Sequence, residues 1–129
     1  MLKLTNKQLK SKNSLKIKTI IQSYINELKQ SLDMLDFGKI DEAIKIIIQA
    51  YRRQKKIFIM GNGGSAATAS HMACDLGKGT LRRVYDESEP RLKVYSLTDN
   101  VAALTAYAND LSFEDIFVQQ LRNLAEKDD

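Results

Sequence analysis

A chain of 129 residues, 43% hydrophobic and 28% charged, has room for one domain and its core. No apolar run reaches membrane-spanning length, and the lysine-rich start lacks the apolar segment of a secretory signal. The single cysteine, Cys74, excludes an internal disulfide and suits a reducing cytoplasm. The formal net charge of +4 invites a nucleic-acid surface, but no aromatic-interleaved basic stripe and no helix-turn-helix pattern accompanies it.

Residues 1 to 12 read as a frayed basic tail. From Ser14 to Leu35 a helical period is plain, with Ile17, Ile20, Ile21, Tyr24, Ile25, Leu28, Leu32 and Leu35 in one stripe. A stripe of about six turns suits packing against a partner chain or burial within one subunit. Phe37-Gly38-Lys39 breaks the run. A second helix is predicted over Ile40 to Arg53, with Ile40, Ala43, Ile44, Ile47, Ile48 and Tyr51 inward. Asp41 and Glu42 suit its start, and Arg52 and Arg53 its end.

Residues 57 to 77 form the centre of the chain. Ile57 to Met60 reads as a buried strand, Gly61-Asn62-Gly63-Gly64-Ser65 as a turn, and the alanine-rich run from Ser65 to Gly77 as a helix. A strand, a glycine-rich turn and a helix start can cradle phosphate, because glycines allow close approach and the first helical N–H groups face the anion. An ordinary glycine-rich βα turn gives the same pattern. Ser65 can cap the helix or meet a phosphate oxygen. His71, the only histidine, and Asp75 are four residues apart and share a face. That pair suits a divalent metal or acid–base work, and equally a plain surface pair. Ala66, Ala69, Met72, Ala73 and Leu76 occupy the packing side, and Cys74 reads as a small packing residue.

Lys78 to Pro90 reads as a long polar loop able to cover a site, with Arg82 and Arg83 as phosphate contacts or solvated side chains. Leu92 to Leu97 is the second strand, and Thr98-Asp99 falls at its carboxyl end, where α/β sheets place ligands. Asp99 or Asn100 caps a short helix through Ala108, which Asn109-Asp110 breaks. Ser112 caps a last helix with Phe113, Phe117, Leu121 and Leu124 inward. The order α-α-β-α-β-α-α predicts an α/β fold with a parallel sheet covered on both faces. Two strands are too few for an independent sheet.

Gly61-Asn62-Gly63-Gly64-Ser65, then His71 and an acid at 75, resembles the sugar isomerase (SIS) family, and within it the phosphoheptose isomerases. Leu97-Thr98-Asp99, Ala108-Asn109-Asp110 and Phe113-Glu114-Asp115-Ile116-Phe117 extend the resemblance in order. It implies a three-layer, doubly wound parallel sheet preceded by two N-terminal helices, with residues 13 to 129 as those helices and the first part of an incomplete SIS domain. It implies aldose–ketose isomerisation of a sugar phosphate in the cytoplasm, and a homotetramer assembled through the N-terminal helix. Asp75 is then the catalytic base, and His71 with Asp75 the metal ligands. Asn62, Gly63, Gly64, Ser65, Asn109 and Asp110 are the substrate contacts. The family's serine-rich phosphate loop and its later glutamine and histidine would follow Asp129. The expectation is therefore zinc in a complete protein, no tight zinc here, and no turnover by residues 1 to 129 alone. Asp75 departs from the glutamate usual in the isomerases. Some SIS relatives bind protein partners instead, including a replication-initiator-associating protein, so the alternative expectation is a non-catalytic binding or regulatory protein of that type or a sugar-phosphate sensor.

Overall fold

A computed structural model describes residues 6–129, with side chains from Lys16 onward. The elements are α1 (Asn6–Asp33), α2 (Phe37–Arg52), β1 (Lys56–Ile59), α3 (Gly64–Cys74), a π-helical turn (Asp75–Gly79), β2 (Lys93–Ser96), α4 (Val101–Asp110) and α5 (Asp115–Leu124). The fold is α/β, with five α-helices and a two-stranded parallel sheet among the described residues. No helix among these residues is long and apolar enough to cross a membrane. The chain divides into a first unit ending at Ile40 and a second, Asp41–Asp129.

In the first unit, α1 begins at Asn6, ahead of the apolar period that starts near Ser14, so the helix takes in much of the expected basic tail. Residues 1 to 5 lie outside the described residues. The stripe is uncovered: Ile17, Ile20, Ile21 and Leu28 are exposed, and Tyr24 is 67% exposed. The polar side carries i,i+4 pairs, Gln22 donating to Asn26 at 3.1 Å and Ser23 to Glu27 at 3.1 Å. The expected break at Phe37-Gly38-Lys39 is instead the first turn of α2. Asp36 Oδ1 accepts from the N–H groups of Gly38 (2.9 Å) and Lys39 (3.2 Å), the N-cap pattern that satisfies orphan donors at a helix start.

The second unit holds the sheet. Its register pairs Lys56 with Lys93, Ile57 with Val94, Phe58 with Tyr95 and Ile59 with Ser96. The Phe58 and Tyr95 rings stack across it with centroids 5.7 Å apart. Of the α2 residues expected inward, Ile47 and Tyr51 are half-buried, while Ala43, Ile44 and Ile48 are exposed, as is Ile40 at the end of the first unit. The apolar core is small: Ala69 of α3, Leu97 after β2 and Ile116 of α5. Buried Gln120 joins two of these, its Nε2 donating to the carbonyls of Leu97 (3.0 Å) and Ile116 (2.7 Å).

The last helix starts two residues later than its sequence suggests. Ser112 Oγ donates to Asp115 Oδ2 at 2.7 Å, and the helix proper begins at Asp115. Phe113 therefore lies before the helix and is 59% exposed, and Leu124 is exposed. Ile116 and Gln120 take the buried positions, flanked by half-buried Phe117 and Leu121. The inward face is centred on the 116/120 row, one residue from the predicted stripe.

Candidate functional site

β1 delivers the chain from an apolar stretch into the glycine turn, and two glycines there are structurally required. A Cβ on Gly61 would sit 2.7 Å from the main-chain carbon of Ser65, so the turn closes only without a side chain. Gly63 has φ 57° and ψ −124°, a conformation that L side chains rarely adopt. The turn is braced by Ser65 N–H donating to Asn62 O (3.1 Å) and Ala66 N–H to Gly63 O (3.1 Å). The expected free N–H groups at the helix start are thus partly consumed within the turn. Among the described residues, the N–H groups of Gly63 and Gly64 have no internal acceptor. Gly63, not Ser65, stands at the N-cap of α3, and Ser65 is exposed beside these groups.

Two turns along α3, His71 Nε2 and Asp75 Oδ2 lie 3.3 Å apart. Both face solvent, with side chains 80% and 65% exposed. Asp75 stands where the α-helix widens into the π-helical turn, and its N–H is shared by the carbonyls of His71 and Met72. The predicted helix end at Gly77 is instead this wider turn through Gly79, closed by Thr80 Oγ1 donating to Leu76 O at 2.7 Å. One imidazole nitrogen and one carboxylate are donors suited to zinc, which takes three or four protein ligands. Among the described residues no group of three His, Cys, Asp or Glu side chains comes together to hold a metal. The pair supplies two such donors, fewer than the three that zinc takes from a protein.

The carboxyl ends of the strands carry a polar cluster. Ser70 Oγ donates to Asp99 Oδ1, and Ser96 Oγ donates to the same oxygen at 3.1 Å. The Thr98 hydroxyl, almost buried, lies 2.6 Å from Ser96 Oγ and 3.4 Å from the Ala66 carbonyl. Ser70 and Ser96 were invisible as site residues in the sequence. The signal was a small polar residue beside the packing row of α3, and a serine one step before Leu97-Thr98-Asp99. Asn109 and Asp110 close α4 and do not break it; Asn109 Nδ2 donates to Asp110 Oδ1 at 2.8 Å, and both are exposed. Asn100 Oδ1 caps that helix, accepting from Ala103 N–H at 3.0 Å.

The 80–91 loop is ordered around Glu89, whose two oxygens accept from the N–H groups of Arg82 (3.0 Å) and Arg83 (2.9 Å). These bonds hold its carboxyl below the usual glutamate range. Arg82 and Arg83 line a cavity of ≈ 560 Å³ with Ile47, Ile48, Tyr51 and Leu92, and no residue of the glycine turn lines it. Arg83 pairs with Asp86 at 2.7 Å.

A parallel α/β unit with a constrained glycine turn and polar groups at its strand ends belongs to the open-sheet α/β class, in which ligand sites fall at the carboxyl ends of the strands. Within that class the chain belongs to the SIS domain family, whose model matches residues 22–129. It is 38% identical over 103 residues to the phosphoheptose isomerase of Helicobacter pylori strain P12, covering 79% of this chain and 50% of the relative. It is 38% identical over 115 residues to that of Helicobacter hepaticus, covering 88% and 56%. The structure of phosphoheptose isomerase GmhA from Neisseria gonorrhoeae is similar with a TM-score of 0.70 and 28% identity, covering 90% of this chain and 56% of that one. A phosphoheptose isomerase from Francisella tularensis gives 0.68 and 27%, covering 87% and 56%. The chain spans about half the length of the curated relatives it matches.

Proposed function

We propose that this chain forms the phosphosugar-binding part of a phosphoheptose-type aldose–ketose isomerase in the cytoplasm. The observation that carries the reading is the glycine turn, whose Gly61 and Gly63 geometry leaves two free backbone donors and the Ser65 hydroxyl at the start of α3. Asn62, Gly63, Gly64 and Ser65 hold the phosphosugar, and Asn109 and Asp110 bind its hydroxyls. The Asp75 carboxylate removes a proton from the carbon beside the carbonyl, and the resulting enediol regains it on the neighbouring carbon. Zinc, when bound, polarises the sugar oxygens; His71 and Asp75 are the residues here that would hold it. In the whole protein the two strands join a three-layer, doubly wound sheet. The uncovered stripe of α1 packs against a second copy in a homo-oligomer.

A second reading, a non-catalytic SIS binding protein, is favoured by one observation: Asp75 is 65% exposed, whereas catalytic carboxylates are commonly desolvated. The phosphate cradle is tested by calorimetry of sedoheptulose 7-phosphate binding. Gly63→Val places a β-branched side chain at φ 57°, and the expected outcome is loss of measurable binding with the fold retained. Unchanged affinity in a folded Gly63→Val chain assigns the turn a structural role only.

A further inference from the structure

We propose that Asp99 recognises a hydroxyl of the sugar carbon chain through Oδ2 while Ser70 and Ser96 hold its Oδ1. The inference rests on the phosphosugar reading above and names the group that recognises the sugar as distinct from the phosphate. Asp99 follows β2 at the carboxyl end of the sheet. Its Oδ1 accepts from Ser70 of α3 and from Ser96, the last residue of β2, so two elements fix the carboxylate. The Ser70 hydroxyl also lies 3.1 Å from the Ala66 carbonyl, but a carboxylate is the stronger acceptor.

The same cluster reaches the cradle. The Thr98 hydroxyl contacts Ser96 and the Ala66 carbonyl, and the Ala66 N–H is bonded to Gly63 O. Asp99 is thereby tied through short polar links to the turn assigned to the phosphate. It is exposed, and among the described residues Oδ2 has no partner. One oxygen held and the other open makes a preorganised acceptor for a hydroxyl, with little side-chain entropy left to lose on binding. A carboxylate repels phosphate. A phosphosugar therefore binds in one direction, phosphate to the glycine turn and hydroxyls to Asp99.

The test titrates the 129-residue chain by calorimetry with sedoheptulose 7-phosphate and, separately, with inorganic phosphate. In Asp99→Asn the amide oxygen still accepts from Ser70 and Ser96, while an NH₂ replaces the open acceptor. The expected result is about tenfold or greater weakening for the sugar phosphate, with inorganic phosphate unchanged within about twofold. Ser70→Ala, which removes one anchor but keeps Oδ2, retains most of the preference for the sugar phosphate. The proposal is overturned if Asp99→Asn keeps that preference. It is equally overturned if Asp99→Asn and Ser70→Ala weaken both ligands alike and lower Tm alike, which marks a purely structural cluster. A wild-type chain that binds inorganic phosphate and sugar phosphate equally removes this inference alone. One that binds neither removes the phosphosugar reading and this inference with it.

Discussion

Asp75 is one methylene shorter than the glutamate usual in the isomerases it resembles, and it stands where α3 widens into a π-helical turn. A carbon–carbon bond spans about 1.5 Å, and misplacing a reacting group by about 1 Å costs on the order of a hundredfold in rate. The π-helical turn begins at the residue whose side chain is short, and π-bulges recur at functional sites. If Asp75 is the base, changing it to asparagine removes proton transfer but spares the backbone donors of Gly63 and Gly64. The prediction is made for residues 1–129 followed by the C-terminal half of the Helicobacter hepaticus relative. Solvent deuterium should enter sedoheptulose 7-phosphate beside its carbonyl, read by NMR. Asp75→Asn should abolish that incorporation and leave the binding affinity within about threefold, as expected of a group acting in the transition state. Incorporation that survives the substitution assigns the proton transfer elsewhere and favours a binding role for Asp75.

Among the elements, those with a long period were legible and those set by local hydrogen bonds were not. The apolar spacing from Ile17 to Leu32 marks α1, and the Ile57–Met60 run followed by glycines marks β1 and the start of α3 within a residue. The start of α2 was missed because Phe37-Gly38-Lys39 looks like a breaker until Asp36 is seen capping it. The start of α5 was missed because Ser112 bonds to Asp115 rather than to a backbone N–H, which moves Phe113 out of the helix. Of the candidate site, the glycine turn and the His71–Asp75 pair were readable from spacing, but the Ser70–Asp99 bond joins residues 29 apart in sequence, and no local spacing pairs them. The 80–91 loop carries an element-scale prediction. Hydrogen bonds from Arg82 N–H, then Arg83 N–H, depress the Glu89 carboxyl. A depressed carboxylate stabilises the fold above its unfolded pKa, and the contribution is lost as pH falls through the lower folded value. The amide protons of Arg82 and Arg83 should therefore keep hydrogen-bonded NMR shifts from neutral pH down through the ordinary glutamate range. They should move upfield together only below it. Glu89→Gln should make both shifts insensitive to acid; titration of both amides at an ordinary glutamate pKa would contradict the clamp.

The described residues leave much apolar surface uncovered, and the second unit has a small apolar core. Among the described residues only Ala69, Leu97 and Ile116 are buried apolar residues, and a two-stranded sheet is marginal in water. Against that stand exposed Ile17, Ile20, Ile21, Tyr24, Leu28 and Leu32 along α1, and Ile44, Ile46 and Ile48 along α2. The apolar stripe of α1 is of the extent that marks an interaction surface, and burying each large aliphatic side chain contributes about 1.5–3 kcal/mol. The i,i+4 pairs Gln22–Asn26 and Ser23–Glu27 keep the opposite side of α1 polar, so association has a defined face. Residues 1–129 are therefore expected to self-associate through α1. Light scattering after size exclusion should give a mass above one chain at micromolar concentration. Ile20→Glu together with Leu28→Lys should shift that mass toward 14.6 kDa without loss of helical circular dichroism, because both positions are already exposed. A wild-type chain that runs as a monomer and unfolds in one sharp transition would show that the stripe is not an interface and that this small core is sufficient alone.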